Sequence, residues 1–249
     1  MSSLKPIGTP FIELPAVDST NNYAMGLVRE AMAQHGMAVF AHEQTRGKGQ
    51  RNREWLSAGG ENIAISIVVE PRHTTDLFLL SMMSATACKH FFNRYIADEV
   101  KIKWPNDLYW RDRKAAGILI ENTWQQGRWS FAVIGTGINV NQVDFGELGQ
   151  KAVSLRQITG KSFDPLQLAK ELCEDFEKAF RLMIKDPGAI RKFYRENLYR
   201  KGERIRLKKD NRIFEGDLLD VTDQGELLVY HATEESFPVG TVEWIINGG

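Results

Sequence analysis

The spacing of apolar residues changes at about Gly202, and this change limits the folds open to the 249-residue chain. Before Gly202, apolar residues recur at helical spacing in several segments, such as the one that begins at Asp164-Pro165. After Gly202 the segments are short, alternate apolar with polar residues and are separated by turn residues. The sequence therefore predicts an α+β domain at residues 1–199 and a small all-β module at residues 200–249, which we expect to form an SH3-like β-barrel.

Periodicity and turn residues predict the individual elements. The predicted strands are Phe11–Leu14, Met37–His42, Asn62–Val69, Val100–Trp104, Leu108–Trp110, Ala116–Glu121, Trp129–Thr136, Arg204–Leu207, Ile213–Val221, Leu227–His231 and Val242–Ile246. The predicted helices run from the capping residues Asp18-Ser19-Thr20 to Gly36, and over Leu77–Phe92, Asp164–Ile184 and Pro187–Leu198. We expect a loop at Gln44–Trp55, a hairpin turn at Arg111–Lys114, and a strand break at Gly135-Thr136-Gly137.

Charge and hydropathy exclude several classes of protein. The 32 basic and 32 acidic residues cancel, so the chain lacks the strong positive potential of a general nucleic-acid binder. The longest apolar run, Ile63–Val69, is too short to span a bilayer, and Met1–Pro10 lacks the apolar core of a signal peptide. Cys88 and Cys173 lie in predicted helices without paired ligand spacing, which predicts buried, reduced thiols. We therefore expect a soluble, cytoplasmic protein.

A glycine-rich basic stretch, Gly47-Lys48-Gly49-Gln50-Arg51-Asn52-Arg53, follows the second predicted strand. Glycines let backbone N–H groups approach an anion, and the neighbouring cations favour a phosphate or a carboxylate. The spacing matches neither a Walker A loop nor a dinucleotide-binding fingerprint. By itself the stretch also fits a solvated basic loop without a ligand.

Three further segments place polar side chains beside strands. Lys103-Trp104-Pro105-Asn106-Asp107 presents a cation that could meet a phosphate and a carboxylate that could meet Mg²⁺, although Asn and Asp at such a corner often bond only to backbone. Lys114 opens the apolar strand that ends at Glu121, where small neighbours would admit a ligand, but it also fits a solvated hairpin position. Asn139 follows a glycine-interrupted strand, and its amide could read an adenine edge or cap a turn.

In this order, and over nearly the whole chain, these segments closely resemble the biotin-protein ligase family. The resemblance is carried by Asp18-Ser19-Thr20-Asn21, Gln44–Trp55, Lys103–Asp107, Lys114–Glu121 and Gly135–Asn139. It implies a class II synthetase-like catalytic domain of the biotin–lipoate ligase type, with a mixed sheet and helices, before the SH3-like module. Because the pattern begins by Phe11, we expect the monofunctional type, without a preceding DNA-binding domain and without repressor activity.

The resemblance also implies roles for individual residues. Those expected to bind biotin are Ser19, Thr20, Asn21, Gln44, Gly47, Lys48, Gly49, Gln50, Lys114 and Gly117. Those expected to bind ATP or the adenylate are Lys48, Arg51, Arg53, Trp55, Lys103, Asn106 and Asn139. Lys114 is the expected catalytic lysine, assisted by Lys103, while Asp107 is expected to bind Mg²⁺ or accept a proton. Gln50 stands where the family's loop usually has a cation, and we expect Arg51 to substitute for it.

The implied reaction has two steps. The biotin carboxylate attacks the α-phosphorus of MgATP and releases pyrophosphate, and a lysine of a biotin carboxyl carrier protein then attacks the mixed anhydride and releases AMP. The implied substrates are biotin, ATP with Mg²⁺ and the carrier. No DNA or membrane partner is expected, and family members often form homodimers.

Two other functions remain open from the sequence. A lipoate or octanoate ligase or transferase would share the architecture and Lys114, but Ser19-Thr20-Asn21 with Gln44 suits a ureido ring better. A biotin sensor without turnover would need no ATP subsite. The basic residues of the module could also indicate a nucleic-acid-binding barrel, although a solvated basic strand is the interpretation we favour.

Overall fold

The computed structural model describes residues 4–71, 74–97 and 99–246. Within these ranges the strands are β1 (Phe11–Val17), β2 (Ala38–Gln44), β3 (Ile63–Val69), β4 (Val100–Lys103), β5 (Asp107–Trp110), β6 (Arg113–Gln125), β7 (Arg128–Ile138), β8 (Arg204–Lys209), β9 (Arg212–Val221), β10 (Leu227–His231), β11 (Thr233–Phe237) and β12 (Glu243–Ile245). The α-helices are α1 (Thr20–Arg29), α2 (Leu77–Asn93), α3 (Leu155–Thr159), α4 (Pro165–Lys185) and α5 (Pro187–Glu196). None of these helices is long and apolar enough to cross a membrane.

Seven strands form one mixed sheet in the order β1-β2-β3-β7-β6-β5-β4. β1 and β2 are parallel, and the other neighbouring pairs are antiparallel. Because successive side chains of a strand point to opposite faces, Ile67 of β3 packs in the core that contains α2 and α4, whereas Val68 packs against α1. Helices therefore cover both faces of the sheet, which confirms the predicted α+β class.

The local sequence explains where the long helices begin and what they bury. The carboxylate of Asp76 accepts hydrogen bonds from first-turn N–H groups of α2. Asp164 does the same for α4, where Pro165 occupies a first-turn position that needs no N–H donor. Cys88 in α2 and Cys173 in α4 are buried free thiols, as predicted, and burial raises the pKa of each.

The first helix is shorter than predicted. α1 ends at Arg29, and Gly36 lies in the turn before β2 rather than at the helix end. Gly36 has a φ of +87°, and a Cβ there would overlap the carbonyl oxygen of Pro6. The glycine is required because the N-terminal segment passes so close that the Gly8 N–H donates to the Gly36 carbonyl at 2.7 Å. Ser19 occupies the N-cap of α1, but its side chain makes no capping hydrogen bond.

Two boundaries in the centre of the sheet also differ from the prediction. The sequence predicts Lys114 in a turn, but β6 begins at Arg113 and Lys114 pairs within the strand with Tyr109 of β5. β7 continues through Gly135 and Gly137 instead of breaking there. Glycine inside a strand often marks a place where another group approaches the backbone closely. Here the Asn21 side chain lies against Gly135 and the Trp55 indole lies against Gly137.

The C-terminal part of the chain forms a second sheet of five antiparallel strands, in the order β11-β10-β9-β8-β12. The sequence missed β11 because its residues TEESF are nearly all polar. The edge strands β11 and β12 are not paired with each other in the described ranges, so the pairing is that of an open sheet. The turn between β9 and β10 contacts the end of β4, where Trp104 Nε1 donates to the Gly225 carbonyl at 2.9 Å.

Candidate active site

One cavity of about 640 Å³ beside α1 collects residues from both sheets and from the glycine-rich loop. Of the residues predicted to bind ligands, those lining it are Ser19, Thr20, Asn21, Gln44, Lys48, Gly49, Gln50, Arg51, Arg53, Trp55, Lys103, Asn106, Asp107, Lys114 and Gly117. Gly47 and Asn139 do not line it. The fold therefore brings most of the predicted set to one place from segments far apart in the chain.

A neutral polar pocket lies at the α1 end of this cavity. The backbone N–H and hydroxyl of Thr20 lie 2.9 and 3.1 Å from Gln44 Oε1. The buried Ser66 hydroxyl lies 2.8 Å from Thr20 Oγ1 and 2.6 Å from Asn21 Oδ1. Asn21 Nδ2 donates to Glu121 Oε2 at 2.9 Å, which fixes which end of the amide faces Ser66. The pocket thus presents hydroxyls and oriented amides, the groups that recognise a polar ring without a charge.

Gly135 is what allows Asn21 to reach this position. The register of the sheet places Gly135 of β7 opposite Ser66 of β3. A Cβ at residue 135 would overlap the Asn21 amide. The first glycine of the predicted break is therefore a space requirement of the pocket.

The glycine-rich loop is held by its own backbone and by ion pairs. The Gly49 N–H donates to the Arg53 carbonyl at 2.7 Å, and the Trp55 N–H donates to the Gly47 carbonyl at 2.9 Å. A Cβ at Gly47 would overlap the Trp55 carbonyl, so Gly47 shapes the loop from outside the cavity. Lys48 Nζ lies 3.4 Å from Glu121 Oε1, which links the loop to the polar pocket.

Two glycines on adjacent strands form a flat surface under Trp55. Gly117 of β6 pairs with Gly137 of β7. A Cβ at residue 137 would overlap the Trp55 indole, and one at residue 117 would lie 3.0 Å from Lys114 Nζ and 3.2 Å from the indole. Lys114 Nζ is 5.7 Å from the centre of the Trp55 ring. The missing Cβ atoms therefore let an aromatic ring and an ammonium lie directly against the sheet.

The charged centre of the cavity contains two lysines and one carboxylate. Lys114 Nζ lies 2.7 Å from Asp107 Oδ1, and both side chains are partly exposed. Lys103 Nζ lies 5.4 Å from the ring centres of Tyr109 and Trp244. Burial lowers the pKa of Lys103, while nearby Asp107 acts in the opposite direction. Two ammonium groups beside a neutral pocket can bind a ligand that carries a polar ring, a carboxylate and a phosphate.

The two predicted asparagines are both buried and both bonded to backbone. Asn106 lines the cavity, and its amide donates to the Ile118 carbonyl. Asn139 Nδ2 lies 3.2 Å from the carbonyl oxygens of Lys114 and Val153. These contacts hold the first part of β6, on which Lys114 lies. A contact between Asn139 and adenine stays a prediction.

Of the carboxylates that line the cavity, Asp107 is the one that would meet a Mg²⁺ ion arriving with a nucleotide. In residues 4–71, 74–97 and 99–246, no group of three or more His, Cys, Asp or Glu side chains could hold a metal. Magnesium commonly uses only one or two protein carboxylates together with substrate phosphates. Asp107 is near both lysines but is engaged by Lys114. It could bind such an ion once Lys114 turns to another anion.

Four residues in or beside the cavity were given no role from the sequence: Tyr109 and Trp244 line it, and Ser66 and Glu121 contact Asn21 behind it. Ser66 lies inside an apolar strand, and Glu121 ends the Lys114 segment, so only the strand register brings them to Asn21. Tyr109 and Trp244 approach Lys103 from different sheets. Ser66 could have been identified as the one polar residue in the apolar run of β3, but nothing in the sequence pairs Trp244 with Lys103.

Comparison with known proteins relates the chain to one family of enzymes. Residues 13–139 match the model of the biotin/lipoate A/B protein ligase family. The bifunctional ligase/repressor BirA of Escherichia coli (strain K12) is 34% identical over 172 residues, which cover 68% of this chain and 53% of that protein. The biotin--[acetyl-CoA-carboxylase] ligase of Paracoccus denitrificans is 30% identical over 230 residues, 87% of this chain and 92% of that protein. The chain thus spans about half the length of the BirA proteins of E. coli and Salmonella typhimurium.

Solved structures share the fold. The biotin protein ligase from Aquifex aeolicus in complex with biotin and ATP superposes with a TM-score of 0.82, covering 95% of this chain and 99% of that one. Its sequence is 23% identical, so this likeness concerns the fold alone.

Proposed function

Because the chain belongs to the biotin/lipoate A/B protein ligase family, we propose that it is a biotin–protein ligase that forms biotinyl-5'-AMP and transfers biotin to a carrier lysine. The observation that carries this proposal is that a neutral polar pocket and two ammonium groups share one cavity. Thr20, Asn21 and Gln44 suit a ureido ring, while Lys103 and Lys114 suit a carboxylate and a phosphate.

The first step joins biotin to AMP. An oxygen of the biotin carboxylate attacks the α-phosphorus of MgATP, the bond from that phosphorus to the β-phosphate oxygen breaks, and pyrophosphate leaves. Lys114 leaves Asp107 to neutralise the carboxylate and then the α-phosphate, and Lys103 contacts the phosphate chain. Bringing two anions together is the main barrier, so charge neutralisation and positioning supply most of the catalysis.

The second step transfers biotin to the carrier. The amine of the carrier lysine attacks the carbonyl carbon of the anhydride, an amide forms, and AMP leaves with the electrons of the broken C–O bond. Asp107, released from Lys114, either accepts the proton of that amine or binds Mg²⁺. The glycine-rich loop, with Lys48, Gly49, Gln50, Arg51 and Arg53, covers the adenylate and limits its hydrolysis.

A lipoate ligase is the second candidate, since the family includes both activities by name. Thr20, Asn21 and Gln44 favour biotin, because a ureido ring offers hydrogen-bonding groups to this polar set and a dithiolane ring offers none. A biotin sensor without turnover is disfavoured because sensing biotin alone needs no ATP subsite, whereas Trp55, Lys103 and Asp107 line the same cavity as the polar pocket.

The remaining assignments belong to the same proposal. The carrier is a biotin carboxyl carrier protein or domain, and the enzyme works in the cytoplasm. It forms a homodimer, and neither DNA nor a membrane is a partner. Residues 1–199 form the catalytic domain and residues 200–249 the C-terminal module. An SH3-like barrel for the module is supported by its five antiparallel strands and by the bulge between Leu228 and Val229.

Isotope exchange tests the proposal against its rival. The protein is incubated with MgATP and radiolabelled pyrophosphate, with biotin, lipoate or neither. We expect label to enter ATP only with biotin, because adenylate formation is reversible. Exchange with lipoate but not with biotin would assign the second candidate, and no exchange with either would refute an adenylating function.

A further inference from the structure

Trp244 of β12 brings the C-terminal sheet to the charged centre of the cavity. Lys103 Nζ lies 5.4 Å from its ring centre and 5.4 Å from that of Tyr109. Both rings also contact Tyr199, with centroid distances of 5.8 Å for Trp244 and 5.4 Å for Tyr109. Tyr199 is 5% exposed, so the two rings that flank Lys103 rest on a buried third ring.

Lys103 depends on these rings because its ammonium has no carboxylate partner in the described part of the chain. Asp107 and Glu243 both act on Lys103 electrostatically, but Asp107 is paired with Lys114 at 2.7 Å and Glu243 with Arg53 at 3.1 Å. Burial disfavours the Lys103 ammonium and lowers its pKa. Aromatic faces within about 6 Å attract a cation, and this attraction strengthens when the cation is shielded from water. The rings therefore supply stabilisation that an ion pair would otherwise give.

A lysine held by aromatic rings differs from one held by a carboxylate in whether its charge is already neutralised. A carboxylate cancels the charge of the ammonium and must be displaced before an anionic ligand binds. An aromatic face attracts the cation through its quadrupole and has no net charge. The Lys103 ammonium, flanked by two rings, is therefore not held in an ion pair that an anionic ligand would have to displace, and Trp244 and Lys103 line the same cavity.

We propose that Trp244 is a positioning residue of the nucleotide subsite, which with Tyr109 aims the Lys103 ammonium at the triphosphate of ATP. This rests on the proposed function. The competing explanation is that Trp244 only packs against Tyr199 between the two sheets.

Nucleotide binding by matched variants separates the two explanations. The dissociation constant of α,β-methylene ATP is measured with Mg²⁺ and biotin present, for Trp244→Leu, Trp244→Phe and the control Trp124→Leu, whose ring is 56% exposed on the β6–β7 hairpin. We expect Trp244→Leu to weaken binding about tenfold, Trp244→Phe by about threefold or less, and Trp124→Leu to have no effect. Biotin affinity without nucleotide should be unchanged in all three. An equal loss of biotin affinity in Trp244→Leu would support the packing explanation.

A second pair of measurements tests whether Trp244 acts through Lys103. In a Lys103→Met background, Trp244→Leu should cause no further loss of analogue affinity, and a further tenfold loss would overturn the proposal. If the Lys103→Met variant binds the analogue too weakly to measure, NMR of protein labelled with ¹³C at lysine Cε tests the contact between Trp244 and Lys103 directly. The Lys103 resonance, assigned by Lys103→Met, should lie upfield through ring currents and move towards the free-lysine position in Trp244→Leu.

An unmoved resonance would overturn the proposal as well. Failure of the proposed function is a separate result, because it would appear as absent biotin-dependent exchange in the unaltered protein. The NMR comparison does not depend on turnover.

Discussion

Lys114 Nζ lies 2.7 Å from Asp107 Oδ1, on adjacent strands of the central sheet. The pair lies over Gly117, where a Cβ would be only 3.0 Å from the ammonium. A partly exposed ion pair of this kind contributes about 0–1 kcal/mol to the free energy of unfolding. Its weakness suits a cation that must exchange one anionic partner for another during a reaction.

Lys114→Ala should abolish adenylate formation and leave the fold intact. Loss of a group that neutralises charge in the transition state costs on the order of 10² to 10³-fold or more in rate. The free energy of unfolding should fall by about 1 kcal/mol or less, because the pair is partly exposed. Pyrophosphate exchange and thermal unfolding measure the two effects. Lys192→Ala, at a side chain that is 75% exposed, is the control and should leave both unchanged.

Arg51→Ala should speed the escape of the adenylate. Arg51 lines the cavity beside Gln50, which supplies no cation, and it adopts a left-handed φ of 55°. Because alanine is strained at this φ, Arg51→Gly removes the side chain without that strain and should behave the same way. Single-turnover release of preformed adenylate gives the rate. Arg46 does not line the cavity, so Arg46→Ala should release the adenylate at the rate of the unaltered protein. Equal release rates for the three variants and the unaltered protein would show that Arg51 does not help to retain the adenylate.

Glu121→Ala should weaken biotin binding, and Glu121→Gln should weaken it less. The alanine leaves the Asn21 amide without its acceptor, at a loss of about tenfold in affinity. Glutamine keeps an acceptor oxygen for Asn21 but loses the charge that pairs with Lys48. Calorimetric titration with biotin compares the two. Equal affinities for both variants and the unaltered protein would show that Asn21 needs no partner.

Gly137→Ala and Gly26→Ala should have opposite effects. An added Cβ at residue 137 overlaps the Trp55 indole, and such overpacking costs about 1–3 kcal/mol or displaces the ring. At Gly26, in α1, an added Cβ meets nothing within 4 Å, and alanine should stabilise the helix by about 0.5–1 kcal/mol. Denaturant unfolding and affinity for an ATP analogue check both. Unchanged nucleotide affinity in Gly137→Ala would mean that Trp55 does not need the glycine surface.

The alkaline pH dependence of adenylation should reflect the loss of the proton from the Lys103 ammonium. Burial lowers its pKa below the ordinary value of 10.5, so the ammonium loses its proton at a lower pH than a solvated lysine. The exchange rate should therefore fall as pH rises towards 10.5, because a neutral amine cannot balance phosphate charge. Lys103→Arg should move this alkaline limb to higher pH, because the pKa of a guanidinium lies well above that of an ammonium. The same limb in both proteins would assign it to another group.

Local signals were enough to predict most elements and most of the cavity lining. The apolar run Ile63–Val69 forms β3, and the capping residue Asp164 starts α4. Both depend on interactions within a few residues. The polar strand β11 escaped prediction because its pairing with β10, rather than its own pattern, makes it a strand.

The parts of the site that could not be predicted depend on register and on contacts between distant segments. Ser66 reaches Asn21 only because Gly135 lies opposite it in the sheet. The same glycine looked like a strand break, since the sequence does not say what occupies the space that a Cβ would fill. Trp244 meets Lys103 through the packing of two sheets, which no local pattern encodes.

Direct transfer to a carrier is the measurement that decides the proposed function. The protein is incubated with biotin, MgATP and a purified biotin carboxyl carrier domain, and the carrier is analysed by intact-mass and peptide mass spectrometry. We predict one biotin in amide linkage to one lysine, dependent on ATP and absent with Lys114→Ala. An unmodified carrier, or modification that persists without ATP or with Lys114→Ala, would contradict a ligase centred on Lys114.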